Sequence, residues 1–246
     1  MAIKDSPPVV SIIIPVFNEE HRLGRSLERI FQFCDALPYS YEVIIADDGS
    51  TDGTVKLIRE RFAERAQLRI AQLSIHRGKG GAVQLGMLQG RGDFLIFSDA
   101  DLSVSIEMLP KFLAELQSEF DVAIASRRAA GSLIEVHQDS FRELMGRAFT
   151  SLSNILLSLH HSDLTCGFKA FRRDAAREIF SRQCLYNWSF DSEILFLAKL
   201  KSLRVAEVPV TWRDDRATKV NLWRDVVTSF WGLMAIRWNH LLRKYR

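Results

Sequence analysis

The chain has 246 residues, 47% of them hydrophobic and 26% charged, with a formal net charge of +3 at pH 7. That length suits one large α/β domain with a tail, and so mild a charge argues against nucleic acid as a partner, although the stretch from Arg213 to Arg246 is visibly basic. Cys34, Cys166 and Cys184 are widely spaced and form no CxxC pair, so neither a disulfide framework nor a zinc cluster is expected and a reducing compartment fits. Met1 to Pro8 is polar, and no run of about 18 apolar residues occurs anywhere, so no signal peptide or membrane span is expected.

Short β-branched runs predict strands over Val9–Pro15, Glu42–Ala46, Leu68–Leu73, Phe94–Ser98 and Val122–Ser126. Helical spacing predicts helices between them over Glu19–Phe33, Thr51–Phe62, Gly81–Leu88 and Ile106–Phe120. Alternation of this kind makes an α/β fold whose central sheet is mostly parallel and flanked by helices. Beyond Arg127 the pattern loosens into a loop, a helix near Phe141–Leu159, a short segment Gly167–Arg172, a helix near Ser189–Lys201 and a strand Val205–Trp212. The expected organisation is one domain over residues 1–220, in two halves, 9–126 and 127–220. A C-terminal amphipathic helix follows over 221–246.

In an open parallel sheet, ligands bind beyond the carboxyl ends of the strands. The first strand ends in Pro15-Val16-Phe17-Asn18-Glu19-Glu20 and the second in Asp47-Asp48-Gly49-Ser50-Thr51-Asp52. In the second turn one Asp is left to accept a hydrogen bond from a nucleobase N–H, while Ser50, Thr51 or Asp52 can cap the next helix. The fourth strand runs into Asp99-Ala100-Asp101. On extended backbone residues i and i+2 share a side, so both carboxylates converge and call for a cation between them. Mg²⁺ or Mn²⁺, completed by phosphate oxygens and water, is the hard cation such a pair holds. His76-Arg77-Gly78-Lys79-Gly80-Gly81 is a basic glycine-rich turn whose N–H groups and Lys79 suit phosphate or a donor sugar. It is not GxGxxG and follows the third strand, which disfavours a dinucleotide-binding dehydrogenase.

Taken in order, Pro15-Val16-Phe17-Asn18-Glu19, Asp47-Asp48-Gly49-Ser50-Thr51-Asp52, Gly78-Lys79-Gly80-Gly81-Ala82 and Asp99-Ala100-Asp101 resemble the family 2 glycosyltransferases of GT-A fold. The second half is similar to polyprenyl-phosphate sugar transferases. The segments concerned are Cys166-Gly167-Phe168-Lys169-Ala170-Phe171, Trp188-Ser189-Phe190-Asp191-Ser192-Glu193 and Glu207-Val208-Pro209-Val210-Thr211-Trp212 with Thr218-Lys219-Val220. Dolichyl-phosphate β-glucosyltransferases stand nearest and the mannosyltransferases second. The resemblance implies that Pro15, Phe17, Glu19 and Asp48 line the nucleotide, joined on the donor side by Asp47, Lys79 and Ala100. It implies that Asp99 and Asp101 hold metal and diphosphate, and that Arg127, Lys169 and Lys219 bind phosphate, with Arg142 and Arg213 beside them. Mannosyltransferases often carry Gln two residues after the acidic motif, where this chain has Ser103. The eukaryotic glucosyltransferases begin with a membrane anchor that is missing here, which implies attachment through another segment or a partner.

A polyprenyl phosphate brings an anion toward a donor diphosphate, so the basic residues of the second half read as a phosphate clamp. Such an acceptor is already ionised near neutral pH and makes a general base optional. Asp191 reads either as that base or as an acidic residue at a helix start. The expected reaction is a single in-line displacement with inversion, moving glucose from UDP-glucose to a polyprenyl phosphate at a cytosolic membrane face. GDP-mannose as donor, a sugar hydroxyl as acceptor and an inactive nucleotide-sugar-binding protein of a membrane complex are the alternatives. Residues 222–238 mix Trp, Phe and aliphatic side chains with arginines, as in a helix lying in a lipid interface or one that packs on the sheet or a homo-oligomer face.

Overall fold

The computed structural model describes residues 8–136, 140–213 and 222–246. In these the chain runs β1 (Val10–Val16), α1 (Leu23–Cys34), β2 (Tyr41–Asp47), α2 (Thr54–Arg61), β3 (Leu68–Gln72), α3 (Lys79–Gln89), β4 (Phe94–Ser98) and α4 (Leu109–Gln117). It continues through β5 (Val122–Ser126), β6 (Leu133–Val136), α5 (Ser140–Leu157), β7 (Phe168–Arg172), α6 (Arg173–Phe180), α7 (Phe190–Leu200), β8 (Val205–Pro209), β9 (Thr211–Arg213) and α8 (Leu222–Leu241). Seven strands form one sheet in the order β3-β2-β1-β4-β7-β5-β8, and β6 pairs with β9 in a small parallel ribbon. All neighbours in the large sheet are parallel except β7, which runs antiparallel to both β4 and β5.

The continuous apolar runs are explained by burial on both faces. In β1, Ile12 and Ile14 pack with Leu27 and Phe31 of α1 and Phe112 of α4, while Ile13 points the other way to Val83 and Met87 of α3, Phe97 and Phe190. Pro15 cannot donate to a ladder, and it lies beyond the Val10–Ile13 stretch that pairs with β4.

Where boundaries differ from expectation, a local cause is visible. The first helix starts at Leu23 rather than Glu19: residues 20–22 form a turn in which Arg22 N–H and Leu23 N–H both donate to Glu19 O (3.2 and 3.0 Å), and the N–H groups of Asn18, Glu19 and Glu20 bond to Ser50 Oγ, Thr54 Oγ1 and Asp52 Oδ2. The single strand expected over Val205–Trp212 is two: Pro209 ends the ladder with β5, and Thr211–Arg213 turns away to join β6. The segment Gly167–Arg172 is β7, so the second half of the chain inserts a strand into the middle of the sheet. Helix α6 and strand β6 had no counterpart in the sequence pattern.

Candidate active site

A cavity of about 1150 Å³ opens at the carboxyl ends of β1, β2 and β4. Pro15, Phe17, Glu19, Asp48, His76 and Lys79 line one end, Asp99, Ala100 and Asp101 the middle, and Arg127, Arg128 and Arg142 the other end. Met145, Phe149 and Leu152 of α5, Phe230 of α8, Trp188 and Trp212 supply apolar walls.

Two turns are stitched together at the donor end. Asn18, in the left-handed region at φ 55°, turns its Oδ1 to accept from Thr51 N–H (2.8 Å) and Asp52 N–H (3.3 Å). Asn and Asp tolerate that conformation because a short polar side chain can bond locally. Glu19 lines the cavity with its carboxylate bonded to the Arg22 guanidinium at 2.5 and 2.6 Å. Asp47 does not reach the cavity. It is fully buried and accepts from Ser50 N–H and from Gln72 Nε2 (2.9 Å), so it braces the turn instead of meeting the donor. Asp48 faces the cavity, but it already accepts from Arg77 N–H and Gly78 N–H (2.8 Å each).

The glycine-rich turn is likewise committed within the protein. Gly78 has φ 108°, and a Cβ there would stand 2.7 Å from Tyr186 O, so no other residue fits. Gly78 N–H goes to Asp48, Gly80 N–H to Tyr186 O and Gly81 N–H to Gly78 O. These three N–H groups are therefore committed within the protein, and Lys79 lines the cavity. Its ammonium lies 2.5 Å from Asp99 Oδ1. Burial opposes its charge, yet the carboxylates of Asp99, Asp191 and Asp101 hold its pKa above the ordinary lysine value.

Asp99 and Asp101 do face one cavity, though not by strand alternation. β4 ends at Ser98, and Asp99 to Leu102 form a turn closed by Leu102 N–H to Asp99 O (3.0 Å), with Leu102 at φ 52°. Ser103 N–H donates to Asp101 Oδ1 at 2.9 Å and fixes that carboxylate. Burial and the Asp99 charge push the Asp101 carboxyl above the usual carboxylate range. Gly167 closes the back of the site: a Cβ there would meet Asp99 Oδ2 at 1.9 Å.

Lys169 is not a phosphate ligand here. It is fully buried in β7, where its ammonium donates to Asp191 Oδ1 (2.5 Å) and Cys166 O (2.7 Å) behind the cavity wall. Asp191 lines the cavity from the first turn of α7, the acidic residue at a helix start that the sequence suggested, and its carboxylate is also the partner of the Lys169 ammonium. Burial raises its pKa more than Lys169 and Lys79 lower it. Cys166 is buried, which pushes its thiol up to about 12 and removes it as a nucleophile.

At the far end, Asp163 is fully buried and takes two hydrogen bonds from the Arg127 guanidinium, at 2.6 and 2.9 Å. Burial alone would raise its pKa; those bonds and the Arg127 charge instead bring it to about 2. Arg128 meets only neutral oxygens, Thr150 Oγ1 (3.2 Å) and Ser162 O (2.9 Å), and neither it nor Arg142 forms an ion pair among the described residues. Arg213 does not line the cavity: its side chain is exposed on β9, and its backbone N–H is what binds, to Ser103 O (3.0 Å). Lys219 lies outside the described residues. Sequence reasoning missed Asn18, His76 and Asp163, and for the first two the signal was their place in the turns already singled out.

An open, mostly parallel sheet with an acidic turn at the carboxyl end of its fourth strand and a cationic rim around one cavity defines a nucleotide-sugar transferase of GT-A fold. The profile of glycosyl transferase family 2 matches residues 11–180, and the chain belongs to that family. It is 33% identical to a dolichyl-phosphate beta-glucosyltransferase of Drosophila melanogaster, over 94% of this chain and 73% of that one. A Saccharomyces cerevisiae protein of the same description is 32% identical over 98% of this chain and 78% of its own. Among solved structures, glucosyl-3-phosphoglycerate synthase from Mycobacterium tuberculosis, in complex with Mn²⁺, UDP and glucosyl-3-phosphoglycerate, aligns with a TM-score of 0.69. That alignment covers 93% of this chain and 80% of the other at 18% identity, and it speaks to the fold.

Proposed function

We propose that the chain transfers glucose from UDP-glucose to a dolichyl-type polyprenyl phosphate, with inversion, as a peripheral enzyme on the cytosolic face of a membrane. One observation carries the reading: a single cavity joins the Asp99–Asp101 turn to the Arg127, Arg128 and Arg142 rim beneath the apolar walls of α5 and α8. The names of the relatives supply the sugar and the lipid.

Asp99 and Asp101 fit a hard divalent cation, Mg²⁺ or Mn²⁺. Their oxygens share one turn, and an ammonium already sits against Asp99 where positive charge is wanted. Among the described residues no group of three acidic, His or Cys side chains gathers for a metal, so the two carboxylates rely on the donor diphosphate and water to complete a shell. Bound there, the ion would neutralise the diphosphate and stabilise the departing nucleoside diphosphate. Lys79 adds a second positive charge on the same side. Arg127 is held rigid by Asp163, while Arg128 and Arg142 keep their charge available for the acceptor phosphate. Asp191, occupied by Lys169, need not act as base, because a phosphate acceptor has no proton to give up.

No helix among the described residues is long and apolar enough to cross a membrane. Helix α8 instead buries Leu233 and Ile236 in the core and leaves Trp231, Met234, Trp238 and Leu241 exposed on the opposite side. A helix apolar on both faces needs a second apolar contact, and with Phe230 at the cavity wall a bilayer surface would deliver a lipid phosphate directly. Incubation with labelled UDP-glucose or GDP-mannose and polyprenyl phosphate tests the donor: label in the organic phase from UDP-glucose supports this reading, and label from GDP-mannose alone refutes it.

A further inference from the structure

We propose that Glu207 is a positioning residue for the acceptor phosphate, aiming Arg128 from outside the cavity through Ser162 and Ser126. The inference rests on the reading above that Arg128 meets that phosphate. Glu207 lies on β8, at the edge of the sheet, and does not line the cavity. One of its oxygens accepts from Ser162 N–H (2.9 Å) and lies 3.2 Å from His161 Nδ1, and the other accepts from Ser162 Oγ. Burial alone would raise its pKa; the bonds from His161 and Ser162 instead hold it below the ordinary glutamate value, so near neutral pH it is a carboxylate that only accepts.

That charge sets the direction of a chain of hydroxyls. Ser162 Oγ donates to Glu207, so at its 2.6 Å contact with Ser126 Oγ it accepts and Ser126 donates. The fully buried Ser126 Oγ then has its lone pairs free for two backbone donors just beyond β5, Arg128 N–H (3.1 Å) and Ala129 N–H (3.0 Å). The turn that carries Arg128 is thus fixed by a relay ending on Glu207. The side chain depends on the same loop, because Arg128 Nη1 donates to Ser162 O at 2.9 Å, beside Thr150 Oγ1 at 3.2 Å. Glu207→Gln keeps the shape but breaks this pattern in either orientation of the amide. Either Ser162 N–H meets another donor, or the relay reverses and brings three donors to Ser126 Oγ. Asn154 holds the loop separately, its amide pairing with the backbone of His161 at 2.8 and 3.3 Å.

Initial rates with UDP-glucose, Mn²⁺ and polyprenyl phosphate in detergent micelles test this as a double-mutant cycle on the acceptor KM. Arg128→Ala is expected to raise that KM. Glu207→Gln should raise it about tenfold, the scale of one mis-set hydrogen bond, with kcat and the UDP-glucose KM within about twofold of wild type. Added to Arg128→Ala, Glu207→Gln should change nothing further, because its effect passes through that arginine. Ser162→Ala breaks the relay while leaving the Glu207 charge in place; it should reproduce the acceptor effect, and it decides the matter if Glu207→Gln does not fold. An unchanged acceptor KM in these variants, an equal loss on the donor KM or kcat, or effects at 128 and 207 that simply add would overturn the assignment. If Arg128→Ala itself leaves the acceptor KM unchanged, the reading of Arg128 as a phosphate ligand sinks, and this assignment with it.

Discussion

Lys79 Nζ stands 2.5 Å from Asp99 Oδ1, so an internal ammonium occupies the carboxylate that the divalent ion would share. Such a pair keeps the acidic turn in place without the metal and must open when the donor arrives. Lys79→Met is therefore expected to tighten Mn²⁺ binding to the nucleotide-free protein by about fivefold, as loss of a partly exposed ion-pair competitor implies. The same change should lower turnover by about a hundredfold, because a cation is lost where negative charge develops. Paramagnetic Mn²⁺ titration beside initial rates measures both.

Gly167 is the second guard of that turn. An added Cβ would lie 1.9 Å from Asp99 Oδ2, and Asp99 also binds the backbone of Gly167, with Asp99 N–H to Gly167 O at 3.2 Å. Gly167→Ala should displace the carboxylate and reduce turnover by about a hundredfold, the scale of a misplacement near one ångström. A melting profile with one cooperative transition would show that the loss comes from the site and not from unfolding.

The Arg127–Asp163 pair makes a pH prediction. The folded pKa of Asp163, about 2, lies below the unfolded value of 3.8, so the folded state holds the proton less tightly. Its contribution to stability is present above the unfolded value and is lost as pH falls through the folded one. The shift corresponds to about 2 kcal/mol at neutral pH. Urea denaturation should find Asp163→Asn less stable than wild type by at least that amount at pH 7, since it also strands a buried guanidinium. The gap should narrow as pH is taken from about 4 toward 2.

The exposed face of α8 carries Trp231 at 65% and Trp238 at 64% exposure, seven residues apart and so on one side of the helix. Replacing both with Ser should weaken sedimentation with anionic vesicles by about tenfold or more, given the apolar area removed from the interface. The seating of α8 should persist, because it relies on Leu233, Ile236 and the Ser189 Oγ to Ser229 O bond at 3.0 Å. Circular dichroism would check that.

Much of the sheet was legible in the sequence because a strand buried on both faces writes an uninterrupted apolar run, as Ser11-Ile12-Ile13-Ile14 does. The strand order was not legible. β7 lies between β4 and β5 and antiparallel to both, a long-range choice that no local pattern records. The same blindness misplaced Lys169: a lysine after a Gly-Phe turn looks solvated, and its partner Asp191 lies 22 residues on, across the core. Asp47 and Asp48 are adjacent and chemically identical, so only the fold could send one inward as a brace and the other to the cavity edge. The acidic turn was found for partly the wrong reason. Its carboxylates line one cavity from a reverse turn after β4, and not through strand alternation.

The central claim, that a metal-anchored sugar nucleotide and an arginine-bound lipid phosphate meet in one cavity, is tested most directly by the partition of product. With UDP-[¹⁴C]glucose, Mn²⁺ and polyprenyl phosphate, the wild type is expected to form a glucosyl lipid that extracts into chloroform–methanol. Asp99→Ala with Asp101→Ala, and separately Arg128→Ala with Arg142→Ala, should each abolish it while leaving the fold intact. A water-soluble glucoside as the sole product, or undiminished lipid product from the Asp99 and Asp101 variant, would contradict the account.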